Sequence, residues 1–269
     1  MLPTTAAFEP RLNLHGFFAT HPVFRTDEFI RAYVSAGHLA TGAYSALCHY
    51  QGMGVIIRVH RGVYWVNADV CDVVLLAARL HARAVVAYDG AAEFHGLGES
   101  EHQCCYLAPY ALPRVHFGEV IFRSIPEPTI ADDLHRDITH VVERKRSGLP
   151  ILVTSFERTL VDCLERIDLG PEVTMVFDRF LGMNDPPLDL RQLVKATTDR
   201  SGPIGRARLG LLLSAHPKYR DERPLLDWLQ RNIQRASTYA TRERESGGRY
   251  SRKWHLMVPQ SLLPYVWNA

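Results

Sequence analysis

The chain has 269 residues, 46% of them hydrophobic, which excludes an intrinsically disordered chain and allows one large domain or two ordinary ones. Its formal net charge of +2 and pI of about 8.3 exclude a uniformly basic nucleic-acid binder, so any affinity for DNA has to come from local clustering. Five cysteines without a CxxC spacing, an N-terminus without a charged and then apolar leader, and no apolar run near the roughly 20 residues of a membrane span argue against disulfides, zinc, secretion and membrane insertion, and for a reducing cytoplasm.

Three helices are predicted before residue 53. The first covers 11–20, with Leu12, Leu14, Phe17 and Phe18 as apolar contacts, and stops at His21-Pro22 because the residue before proline avoids the helical region. The second opens at Thr26 as N-cap with Asp27 and Glu28 in its first turn, buries Phe29, Ile30, Tyr33 and Val34, and ends at Gly37. The third opens at Thr41. Ala43, Ala46, Leu47 and Tyr50 follow helical spacing and pack inward, leaving Tyr44, Ser45, Cys48 and His49 outside. After Gly52 and Gly54 the period changes to two. Residues 55–60 and 63–66 form a hairpin about an Arg61-Gly62 turn, and of Tyr64 and Trp65 one belongs to the core while the other faces a partner. Helices followed by a basic hairpin are the parts of a winged helix-turn-helix. Tyr44, Ser45 and His49 then reach base edges in the major groove, while Arg58, His60 and Arg61 hold phosphates.

A boundary is expected at 67–69, giving a head of residues 1–68 and a larger half of 69–269. In the larger half the pattern predicts helices over 69–83 and 89–94, the latter capped by Asp89. Strands follow at 84–87, 103–107, 120–125, 138–142 and 151–153, with adjacent Cys104 and Cys105 pointing to opposite faces. Further helices are expected at 171–181, 189–198, 203–215 and 223–234, and a last strand at 254–258. Strands flanked by helices make this half mixed α/β, and the chain as a whole α+β. Thr154 and Glu157 read as a capping box, with Arg158 and Asp162 pairing four residues apart on the helix that follows. The region 200–253 is basic, either as a solvated helical surface or as a second contact for a polyanion or an acidic partner.

Enzyme signatures are sparse. No nucleotide-binding glycine loop, HExxH, GxSxG or His/Cys ligand set is present, so neither metal nor cofactor is expected. One alternative stands: Glu143 and Lys145, with Asp132 or Asp133, match a magnesium-dependent nuclease of the D…ExK kind. The same stretch, ERKRSG, also reads as a charged hairpin.

Three blocks together, VIIRVHRGVYWV, AYDGAAEFHGL and LVTSFERTLVDCL, resemble the AbiEi-type transcriptional regulators, the antitoxins of abortive-infection toxin–antitoxin pairs. Arg61, Gly62 and Tyr64 match the family's RGxY wing. Residues 91–97 match its helix before HGL, and Thr154, Ser155 and 157–162 match its T-S-x-E-R-T-L-V-D block. The resemblance implies a winged helix that binds inverted repeats of double-stranded DNA and represses its own operon, and a larger domain that neutralises a nucleotidyltransferase toxin. The chain has no Gly-Ser dipeptide, so it would be the regulator and not the toxin. A solitary regulator with a ligand- or protein-binding second half is the variant reading.

Overall fold

A computed structural model of the chain describes residues 14–68, 70–127, 140–233, 238–241 and 247–267. Its first elements are α1 (Leu14–Thr20), β1 (Val23–Arg25), α2 (Thr26–Ser35), a 3-10 turn (Ala40–Gly42), α3 (Ala43–Gly52), β2 (Ile56–His60) and β3 (Val63–Val66). The strands form one antiparallel sheet in the order β1-β3-β2. Strand β1 has only three residues, too few to show a period, and the sequence pattern missed it. Aromatic side chains fill the space between sheet and helices. Phe17 meets Phe24 edge-on at 5.2 Å, and Phe24 stacks on Tyr64 at 5.6 Å. Such ring pairs are worth about 0.5–1.5 kcal/mol each beyond their buried area, which suits a head too small for a large aliphatic core.

Helix α4 (Val73–Arg79) follows, capped by Asp72, whose carboxylate accepts the Leu75 amide. It is much shorter than the predicted 69–83. Strands β4 (Val85–Val86), β5 (Gln103–Ala108), β6 (Val115–Phe117), β7 (Val120–Pro126), β8 (Val141–Arg146) and β9 (Leu149–Thr154), with α5 (Tyr88–Phe94) after β4, complete the middle. They form a six-stranded mixed sheet in the order β6-β7-β5-β4-β9-β8. Helix α4 covers one face, where Cys104, Tyr106 and Phe122 are buried, and Cys105 and Leu107 pack with Tyr88 and Leu169 on the other. The two neighbouring cysteines do point apart.

The remaining helices are α6 (Phe156–Glu165), α7 (Val173–Leu181), α8 (Leu190–Arg200), α9 (Pro203–Ala215), α10 (Arg223–Arg231) and α11 (Leu263–Trp267). They share a core with a small sheet, β10 (Thr238–Tyr239), β12 (Leu256–Val258) and β11 (Arg249–Ser251), in that order. The Trp254 indole packs against α9 at Gly210, where a Cβ would collide with the ring; only glycine leaves room for it. The architecture is α+β. No described helix is long and apolar enough to cross a membrane.

The head packs directly against the larger half. Val23 and Val63 of the head lie in the same buried cluster as α4 and the large sheet. Trp65 meets Phe117 of β6 edge-on at 5.5 Å; of the Tyr64–Trp65 pair Tyr64 is the core residue, and Trp65 faces the chain's own second half. Arg79, nearly buried, pairs with Glu28 of α2 at 3.2 Å and donates to the Pro150 carbonyl at 3.2 Å.

Candidate nucleic-acid interface

The surface predicted to touch DNA is assembled from α2, α3 and the β2–β3 hairpin. Helix α3 begins at Ala43, two residues later than predicted, because 40–42 close a 3-10 turn. Thr41 therefore stands exposed on that turn and caps nothing. Ala43 and Leu47 are buried, Ala46 and Tyr50 half-buried. The opposite side presents Tyr44, Ser45, Cys48 and His49 to solvent, with Tyr44 62% exposed. The helical period thus placed the outward face correctly.

The hairpin turns at Arg61-Gly62, where Gly62 has φ +76°, a conformation that favours glycine. A register shift between Arg58 and His60 bends β2. Arg58, His60 and Arg61 are all exposed. Thr26, the first residue of α2 and not its N-cap, donates its amide to the Gly62 carbonyl at 2.9 Å. The hairpin tip is therefore pinned to the start of α2.

Electrostatics favours this face beyond what the charge count suggests. Asp27 is held between Arg25 and Arg31, at 2.9 and 3.0 Å, and the Arg25 guanidinium keeps its carboxyl below the usual carboxylate range. Glu28 is taken by Arg79 and by the Arg25 amide at 2.7 Å. Both described acids of the head are thus compensated, while neither Arg58 nor Arg61 has an ion pair among the described residues. A groove of about 500 Å³ joins Tyr44, Arg61 and the first turn of α2 to the corner after α4, where Arg79 and His81 line it. Burial, with Arg25 and Arg83 nearby, holds the His81 imidazole below its ordinary pKa. The sequence pattern left this corner out, since nothing in its spacing shows that it folds back beside the wing.

The block around 154–162 is organised differently from the expected capping box. The N-cap of α6 is Ser155, whose hydroxyl accepts the Arg158 amide at 3.3 Å. The Thr154 hydroxyl instead lies 2.7 Å from that of Thr159, and Glu157 accepts the Asp189 amide at 2.9 Å, tying α6 to the start of α8. Arg158 and Asp162 do pair, at 3.1 Å, within a closed ring. Arg158 reaches Glu127 at 3.3 Å, and Arg200 reaches Glu127 at 3.3 Å and Asp162 at 2.9 Å. Ser155 and Glu157 also open onto a cavity of about 510 Å³ shared with His95, His140 and Arg144. His140 adopts φ +64° there, unusual for a residue with a side chain.

Glu143 and Lys145 lie exposed on the edge strand β8, in a charged hairpin with β9. Asp132 and Asp133, their candidate partners, lie outside the described residues. Among the described residues no three His, Cys, Asp or Glu side chains converge as a metal site. The basic region 200–253 does not form one surface. Arg208 is buried and donates to the carbonyls of Leu164, Tyr239 and Ala240. Arg235, Arg242 and Arg244 lie outside the described residues. Asp89 does not cap α5: its carboxylate accepts the amides of Gly90 at 2.7 Å and Cys105 at 2.6 Å, and the Gln103 side chain at 2.8 Å. Burial pushes its pKa up to about 6.

Among solved structures the chain is similar to the Rv2827c protein of Mycobacterium tuberculosis, with a TM-score of 0.59 and 14% identity over 91% of this chain and 89% of that one. At that identity the likeness is one of fold. No family model matches the chain, and no curated protein matches it in sequence.

Proposed function

We propose that the chain is a DNA-binding transcriptional regulator whose head, residues 14–68, works as a winged helix. Helix α3 enters the major groove, the first turn of α2 sits against the backbone, and the β2–β3 turn clamps phosphate. The observation that carries this reading is the juxtaposition of an exposed polar face on α3 with two unpaired arginines on the hairpin, beside acids already neutralised within the fold. The resemblance to AbiEi-type regulators extends it: the chain represses its own operon, and its larger half neutralises a nucleotidyltransferase toxin. In this reading the chain acts in the cytoplasm by binding, without catalysis.

Duplex DNA from upstream of the chain's own gene tests the head. Arg61→Ala is expected to weaken binding to all sequences alike and to lower the salt slope by about one unit, as loss of one phosphate contact does. Ser45→Ala and His49→Ala are expected to change which sequence is preferred. Unchanged gel shifts for Arg61→Ala across salt concentrations would remove the wing from the interface. The toxin reading is tested by co-expression: a nucleotidyltransferase encoded beside this gene should arrest growth alone and not with this chain.

A further inference from the structure

The small C-terminal sheet carries a feature that the proposed regulator does not use. Tyr239 of β10 and Tyr250 of β11 both pair in register with Met257 of the central strand β12. Side chains at paired positions share a face, so Tyr239, Met257 and Tyr250 form one row across three strands. The residues flanking Met257, Leu256 and Val258, are fully buried and point into the helical core. The row therefore lies on the outer face, with Tyr239 and Met257 half-buried and Tyr250 39% exposed. The Tyr250 hydroxyl lies 2.8 Å from Nδ1 of His255. His255 itself adopts φ +52°, a conformation costly for a residue with a Cβ. Arg252 and Lys253 stand exposed in the turn between β11 and β12. No aspartate or glutamate occurs anywhere from Gly247 to Val258.

We infer that this face binds single-stranded nucleic acid, with bases stacking on the Tyr239–Met257–Tyr250 row and phosphates held by Arg252 and Lys253. Rings set across the outer face of a sheet, with cations at one end and no acid from Gly247 to Val258, suit a ligand whose units are a ring and a phosphate. The two tyrosines are two strand spacings apart, roughly 9–10 Å, so each takes its own base. An acidic protein would use the cations and leave the rings idle. The site lies on elements separate from the head, and its binding does not require the duplex-binding reading to hold.

Fluorescence anisotropy with the full chain tests it, using labelled 12-nucleotide oligo(U) and oligo(dT) in the presence of excess unlabelled duplex. Tyr250→Ala is expected to raise Kd roughly tenfold, the loss of one stacked base, and Tyr250→Phe to keep wild-type affinity. Replacing Arg252 and Lys253 together by glutamine should lower the salt slope by about 1.4, at about 0.7 per cation on a single strand. Arg61→Ala should leave single-strand binding unchanged. Three results overturn the inference: no single-strand binding by the wild type, Tyr250→Ala with unaltered affinity, or loss of single-strand binding on Arg61→Ala. Competition by polyglutamate that is insensitive to Tyr250→Ala would also overturn it and mark the face as one for an acidic protein.

Discussion

Replacing Arg158 by leucine is expected to destabilise the chain by about 3–5 kcal/mol, because it removes the most buried member of a charge ring and takes a guanidinium away from the buried Asp162 carboxylate. Arg158 is 1% exposed, and it touches both Asp162 and Glu127. For a chain of this size the melting temperature should fall by roughly 6–15 °C. The informative companion is the double variant Arg158→Leu with Asp162→Leu. It removes both charges of the most buried pair together and keeps the Arg200–Glu127 contact, so most of the lost stability should return. Chemical denaturation of the wild type and both variants measures this. A single variant as stable as wild type, or a double variant that loses the sum of two damaging changes, would show that the ring does not hold α6 and α8 together.

Asp89 is expected to make the chain less stable as pH rises. Burial lifts its folded pKa to about 6, above the roughly 3.9 of an unfolded aspartate. Between those values the folded state holds a proton that the unfolded state has released. The group's contribution is fully present below about pH 4, falls away as pH rises through 6, and is constant above that. The elevation corresponds to on the order of 3 kcal/mol. Asparagine cannot titrate, yet its carbonyl oxygen can still accept the Gly90 and Cys105 amides that Asp89 accepts. Asp89→Asn should therefore gain on the wild type by on the order of 2–3 kcal/mol between pH 4 and 7. Urea midpoints across that range test this, and a difference between the two proteins that does not vary with pH would place the aspartate's pKa near its ordinary value.

Helices and the hairpin were legible because each carries a period. The spacing of Ala43, Leu47 and Tyr50 announced α3 and, by subtraction, its outward face. Strands of two or three residues have no period of their own: β4 and β12 were legible only as short apolar runs, and β1, β6, β10 and β11, which lack such a run, were invisible. The same limit applied to side-chain partners. Thr154 and Glu157 had the spacing of a capping box, but Glu157 found a better donor in the Asp189 amide, 32 residues away. Asp89 looked like a helix cap until the fold set β5 against it. The charge ring draws on Glu127 just after β7, on α6 and on α8, and only its Arg158–Asp162 edge is local enough to be read from spacing. The wing was named from a turn and three basic residues. That its field is unopposed depends on Arg79, which no local pattern connects to Glu28.

Arg79 has a consequence for how two copies could share an operator. A reading head on a slack linker can follow half-sites that are moved apart or rotated about the DNA axis. Here the cation that neutralises Glu28 also bonds the Pro150 carbonyl, so the head's orientation is dictated by the large sheet. If the chain is the regulator proposed above, two heads fixed in this way would meet the duplex at a single helical phase. Inserting five base pairs between inverted half-sites turns one of them about half a turn away, and a rigid pair would then hold only one half-site at a time.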